Sequence, residues 1–213
     1  MNKKELTIRK NIIATALELE KKNLNQGKAG NISVRWNGGI LITPSGMDYH
    51  KLKPADIVFI DNKGKSHGKR KPSVETPFHY DILKYKKEID TVIHTHAPYS
   101  TGLSILGKSI PCYHYMIAFF GGDSVPCAKF DVPGSQQLSN YAVKALKNHK
   151  ACLLANHGII VTGSGLDEAL FLTQELEVLC KQITIAKING TPKLVDKKKM
   201  KIIIEAVKTY GKQ

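Results

Sequence analysis

Apolar residues recur at helical spacing over residues 5–23, where Leu6, Ile12, Ile13, Ala16, Leu17 and Leu19 share one face, so the chain is expected to open with an amphipathic helix. The period then shortens. Residues 32–36 and 39–42 flank Asn37-Gly38, a dipeptide suited to the left-handed turn of a two-residue hairpin, which predicts an antiparallel strand pair. A further strand is expected over 57–60, turning at 61–64. Pro72, Ser73 and an acid in the first turn mark a helix that begins near Ser73 or Glu75 and runs to about 86. An apolar strand ending in His94-Thr95-His96 follows, then a short helix over 99–106, strands over 110–115 and 124–128, a helix over 135–147, and strands over 151–155 and 158–161. Two last helices, 166–189 and 197–210, are separated by Gly190-Thr191-Pro192. Strands grouped between helices predict an α/β protein, a three-layer α/β/α domain with a central mixed, mainly antiparallel sheet, spanning residues 1–213 as one unit.

Size and charge narrow the class. With 213 residues and 42% hydrophobic content, one domain with a full core is expected. The apolar runs are too short to span a membrane and the amino terminus lacks the apolar region of a secretory signal, so a cytoplasmic protein is expected. Cys112, Cys127, Cys152 and Cys180 lie singly among apolar neighbours, which favours reduced thiols over disulfides or metal ligands. The formal charge of +14 raises nucleic acid as a partner. The lysines are scattered rather than clustered, and aromatics are not interleaved as a stacking platform, so no nucleic-acid partner is expected. A basic surface also suits a phosphorylated substrate.

The candidate chemistry is concentrated at two strand ends. In an extended strand residues i and i+2 share a side, so His94 and His96 offer two imidazoles to one point. His157 also follows an apolar strand and precedes Gly158. With the lone acid Glu75, these read as a catalytic zinc site, since three neutral nitrogens leave one tetrahedral position open. His50, His67, His79, His114 and His149 are read as ordinary hydrogen-bonded histidines.

Four turns offer backbone amides or hydroxyls that suit a phosphate dianion: residues 27–31, 43–46, 72–73 and 121–122. None has the spacing of a nucleotide-binding loop. Ser73 stands out because it lies two residues before Glu75.

Several segments occur in an order that resembles the class II aldolase and adducin family. These are Asn25-Gln26-Gly27 with residues 30–35, residues 41–46, residues 72–75, residues 94–97, Ile110-Pro111 with residues 114–117, Asn156-His157-Gly158, and residues 208–211. The resemblance is nearest to members acting on L-fuculose 1-phosphate. It implies a homotetramer with active sites between subunits and one Zn2+ per subunit held by His94, His96, His157 and Glu75. Glu75 would then be the proton carrier and Tyr115 the proton donor on the aldehyde side. Asn31, Ser45, Gly46 and Ser73 would bind the substrate phosphate. The implied reaction is reversible cleavage of a ketose 1-phosphate, foremost L-fuculose 1-phosphate, to dihydroxyacetone phosphate and L-lactaldehyde. Three positions depart from the family pattern: Val74 replaces a serine, Lys28 a threonine that it could replace with a charge-assisted bond, and Pro133 an aromatic residue on the aldehyde side. Another deoxyketose or ketose 1-phosphate, a pentulose-phosphate epimerase or dehydratase of the same fold, and an adducin-like binding module are the alternatives.

Overall fold

The computed structural model describes residues 1–210; Gly211, the last residue of the terminal motif, lies outside them. Helix α1 (Lys3–Lys21) starts where the Asn2 side chain accepts from Glu5 N, satisfying one of the free amides at a helix start. Strands β1 (Asn31–Trp36) and β2 (Gly39–Ile42) form the expected hairpin. Asn37 and Gly38 turn it with φ of 45° and 77°, the left-handed backbone that this dipeptide tolerates best. Next come β3 (Val58–Ile60), β4 (Ser66–His67), α2 (Thr76–Tyr85), β5 (Thr91–Thr95) and α3 (Pro98–Ser104). The chain continues through β6 (Ile110–Pro111), β7 (Ser124–Val125), β8 (Cys127–Ala128), α4 (Gln136–Ala145), β9 (Ala151–Leu154), β10 (Gly158–Gly163), α5 (Leu166–Asn189) and α6 (Lys197–Val207).

Eight strands make one sheet in the order β4-β3-β2-β1-β5-β10-β9-β8. Every pairing is antiparallel except β8 with β9, the mixed, mainly antiparallel sheet that the pattern predicts. Alternate side chains take opposite faces. Ile42, Val92, Leu154 and Ile160 pack against Phe78 and Ile82 of α2 and Leu138 of α4. Ile32 and Ile93 pack against Ile12 and Ala16 of α1, and Ile159 and Val161 against Leu172 and Leu176 of α5. Each such side chain contributes about 1.5–3 kcal/mol of transfer free energy, against about 0–1 kcal/mol for an exposed ion pair. The two apolar interfaces therefore hold the three layers together.

Two stretches differ from expectation. Only Ile110 and Pro111 of residues 110–115 are strand, paired with β7 in a separate two-stranded sheet. His114 then caps a 3-10 turn over Tyr115–Phe120 by accepting from Met116 N, and Gly121 ends it at φ 93°. Proline supplies no N–H to a ladder, and the short polar cap favours the turn over further pairing. Pro126 likewise splits residues 124–128, sending β7 to β6 and β8 to β9.

Two charges, half-buried Arg35 and buried Glu177, anchor the layers. The Arg35 guanidinium donates to the carbonyls of Leu83 (2.7 Å), Lys86 (2.9 Å) and Ile89 (2.8 Å), closing the carboxyl end of α2. The Glu177 carboxylate of α5 accepts from the amides of Tyr99 (2.7 Å) and Ser100 (2.8 Å). It occupies the amide-rich start of α3 and so fixes the turn that leaves His96.

Candidate active site

β5 lies between β1 and β10, with His94 opposite Asn31 on one side and Ile160 on the other. The His94 side chain is fully buried and its ring meets the Phe78 ring edge-on, with centroids 5.5 Å apart. His96 stands just beyond the end of β5. His157 comes from the tight turn between β9 and β10, in which Asn156 has φ 55°. The three rings sit 4.8–5.0 Å apart between centroids, and one nitrogen from each falls within 4.8 Å of the others. Gly158 permits this approach. A Cβ there would stand 2.5 Å from Thr95 O and 2.8 Å from His96 Cδ2.

The tautomer of His94 follows from its partners. Nδ1 lies 2.8 Å from the Ile159 carbonyl, which only accepts, so Nδ1 carries the hydrogen and Nε2 presents a lone pair. That lone pair faces His96 Nε2 at 3.0 Å. Burial pulls the His94 pKa down to about 4 and lowers that of His96 as well. Both rings are therefore neutral near pH 7, the state a metal needs.

Glu75 stands at the amino-terminal cap of α2, but its side chain makes no capping bond. It turns to the histidines instead. Oε2 is 3.2 Å from His94 Nε2 and Oε1 is 3.2 Å from His157 Nε2, while Asn31 Nδ2 donates to Oε2 at 2.8 Å. Burial alone would raise the Glu75 carboxyl, but His94, His157 and the Asn31 amide offset it and hold it below the usual carboxylate range. Buried Oε1 has no aligned hydrogen-bond donor. The His94 lone pair and an ionised, half-satisfied carboxylate repel one another unless a proton or a cation lies between them. A divalent ion fits this donor set, and imidazole with carboxylate suits zinc.

Three of the four polar turns gather at this end of the sheet. Gly30 has φ 72°, and a Cβ there would stand 2.6 Å from His94 O; Tyr49 Oη donates to the Gly30 carbonyl at 2.7 Å, pinning the turn. Pro44 and Pro72 form an antiparallel bridge, and Ser73 N donates to Thr43 O at 3.1 Å. This bridge brings Ser45 and Gly46, both exposed, alongside buried Ser73. Ser73 Oγ accepts from Glu75 N at 3.2 Å and keeps its own hydrogen free to donate. Lys28 is exposed on the first turn. Gly121 and Gly122 do not join them, and pack against Asn148 and His149.

Asn31 bridges the two sets. Its Oδ1 meets His79 Nε2 and its Nδ2 holds Glu75, which leaves one amide hydrogen for a ligand. Tyr115 is not gathered with these groups. Its ring lies against His114 and is 51% exposed, and among the described residues no hydrogen bond engages its hydroxyl. Of the five histidines read as ordinary, His50 and His67 pair with Glu20 and Asp61, whereas His79 proves to be part of the site's support. Sequence reasoning passed over His79, though two signals pointed to it. It follows Glu75 by four residues on one helix face, and Asn31 and Ser33 are polar at alternate positions of an apolar strand.

Residues 10–184 match the Class II Aldolase and Adducin N-terminal domain. A 5-methylthioribulose-1-phosphate/5-deoxyribulose-1-phosphate aldolase of Rhodospirillum rubrum is 43% identical over 206 residues, covering 97% of this chain and 93% of its own. An L-fuculose phosphate aldolase of Escherichia coli is 45% identical over 202 residues, covering 94% of each. Among solved structures, an L-fuculose 1-phosphate aldolase superposes with a TM-score of 0.92 at 34% identity, covering 95% of this chain and 96% of that one.

Proposed function

We propose that this chain, which belongs to the class II aldolase and adducin family, cleaves a ketose 1-phosphate reversibly to dihydroxyacetone phosphate and a short aldehyde, with L-fuculose 1-phosphate and L-lactaldehyde as the leading pair. It is a metal-dependent lyase of the sugar-phosphate type. The observation that carries the reading is the meeting of His94, His96, His157 and Glu75 beside the turns of Ser45, Gly46 and Ser73.

His94, His96 and His157, with Glu75 in the resting state, would hold one Zn2+, whose Lewis acidity stabilises the negative charge that builds on the substrate's oxygens as the C3–C4 bond breaks. The Ser73 hydroxyl, the amides of Ser45 and Gly46, the spare Asn31 hydrogen and the Lys28 ammonium bind the phosphate and set the distance from it to Glu75. Glu75 carries the proton at C3, and the Tyr115 oxygen exchanges the proton of the C4 hydroxyl. Tyr115 lies apart from the histidines of its own chain, so it serves the site of a neighbouring copy in a homotetramer. Phe171, Val178 and Ile185, exposed at every seventh position of α5, support such an assembly. No helix among the described residues is long and apolar enough to cross a membrane, and all four cysteines are free; we place the enzyme in the cytoplasm, where thiols stay reduced.

A second reading keeps the reaction and changes the sugar. The Rhodospirillum rubrum relative acts, by its name, on 5-methylthioribulose or 5-deoxyribulose 1-phosphate, and Val74 and Pro133 remove a hydroxyl and an aromatic ring beside the same site. Zinc-loaded protein incubated with L-fuculose 1-phosphate, 5-deoxyribulose 1-phosphate and 5-methylthioribulose 1-phosphate tests both. Dihydroxyacetone phosphate released from the first and absent with Glu75→Gln supports the leading pair. Release from the pentulose phosphates alone moves the assignment to them. No release from any of the three rejects an aldolase of this substrate class.

A further inference from the structure

His79 touches none of the clustered histidine nitrogens and meets the phosphate turns only through Asn31, yet its side chain is completely buried. Burying an imidazole is costly unless both nitrogens find partners. Both do: Nδ1 lies 2.7 Å from Ser33 Oγ, and Nε2 meets Asn31 Oδ1. Asn31 Nδ2 continues the chain to Glu75 Oε2 at 2.8 Å.

The hydrogens in this chain can point only one way. An ionised carboxylate accepts, so Asn31 must present its amino group to Glu75 and its oxygen to His79. The His79 Nε2 must then carry the hydrogen that it donates to that oxygen. A neutral ring so arranged has its lone pair at Nδ1, which takes the Ser33 hydroxyl hydrogen. Burial keeps the ring neutral, with its pKa pulled down to about 3. Phe78 stacks on it at 4.8 Å between centroids and 28° between planes, which sets the plane of the ring.

We propose that Ser33 and His79 are positioning residues that act through Asn31 to hold Glu75 by Oε2 and leave Oε1 as its proton-transferring oxygen. This rests on the reading of Glu75 as the proton carrier. The asymmetry is already present without substrate, since Oε2 has its amide donor while buried Oε1 has no aligned one. A carboxylate fixed in this way keeps one oxygen aimed at the reacting carbon, and the rotation that would exchange the two costs the Asn31 bond. The relay also gives His79 the tautomer opposite to that of His94, which donates from Nδ1.

Two measurements test it on the whole chain. Imidazole nitrogen NMR of histidine-labelled protein reads the tautomer directly: hydrogen on Nε2 of His79 is expected, and hydrogen on Nδ1 overturns the relay. In kinetics with the zinc-loaded enzyme, His79→Phe keeps the stacked ring and is expected to lower kcat about 10- to 100-fold with KM within about threefold. Zinc stoichiometry and cooperative melting should be retained. His79→Gln, whose amide nitrogen can reach the place of Nε2 and donate to Asn31, should recover most of the loss. Equal kcat for the two variants would reduce His79 to packing. Should the Phe variant fail to fold, Ser33→Ala and the tautomer still decide. Should the wild-type protein cleave no ketose 1-phosphate, the reaction is wrong, while the tautomer continues to judge the hydrogen-bond chain.

Discussion

The two ends of helix α2 are both crowded with buried polar groups, and they are resolved in opposite ways. At the carboxyl end Arg35 supplies donors to three carbonyls that the helix and the following turn leave open, and Lys86 Nζ reaches Leu146 O and Glu88. Donors and acceptors there match. At the amino end Glu75 ignores the open amides of its own helix and faces the His94 lone pair and His157 Nε2 instead. Its Oε1 is left without an aligned donor, and a ligand can complete the set. A helix end that is satisfied within the chain holds the fold together, whereas one left unsatisfied at a cost in stability is where chemistry is to be sought.

Removing the cation should have the largest effect on this contrast. A chelator is expected to abolish cleavage, and one equivalent of zinc to restore it. Zinc at about 100 times its dissociation constant should stabilise the fold by about 2.7 kcal/mol. Full activity in rigorously metal-free protein would mean that the acceptor-rich end is not a metal site. Glu75→Gln comes next. Cleavage should fall about 10²- to 10⁴-fold, while the metal-free variant should lose no more than about 1 kcal/mol, because the Gln carbonyl can still accept from the Asn31 amide. Urea unfolding that showed a large destabilisation would make Glu75 structural, like Arg35. Arg35→Met should do the reverse, costing about 2–4 kcal/mol through carbonyls left bare with kcat per folded molecule unchanged.

The two ends were not equally legible in the sequence. The His-x-His pair at a strand end and the Asn37-Gly38 hairpin could be read because strand period and turn chemistry are local rules, and both hold in the structure. The convergence of residues 27–31, 43–46 and 72–73 depends on the bridge between Pro44 and Pro72, a pairing between distant segments that no local pattern encodes. In the sequence Arg35 is one polar residue in a strand, with no local sign of its partners. Its role appears only once the end of α2 is folded over β1. Tyr115 sits on a turn, not at the end of a strand as its apolar neighbours suggested, because Pro111 cannot extend the ladder.

The smallest effect separates the two ends by their response to acid. His79 and His94 are held neutral by burial, with pKa values pulled from 6.5 to about 3 and about 4. The unfolded chain therefore binds more protons than the folded one below about pH 6.5. Stability from each ring is complete above that value and drains away as pH falls toward the folded pKa, by about 1.4 kcal/mol per pH unit per ring. In metal-free protein, urea unfolding at pH 7.0 and at about pH 5.5 measures this slope. His79→Phe should remove one ring's share of it. Arg35→Met should lower stability at both pH values by nearly the same amount, because most of its bonds are to carbonyls, which do not titrate, beside one to the exposed Asp90 carboxylate. An unchanged slope in the Phe variant would mean that His79 takes up protons in the folded state, and the amino end of α2 would then be as tolerant of charge as the carboxyl end.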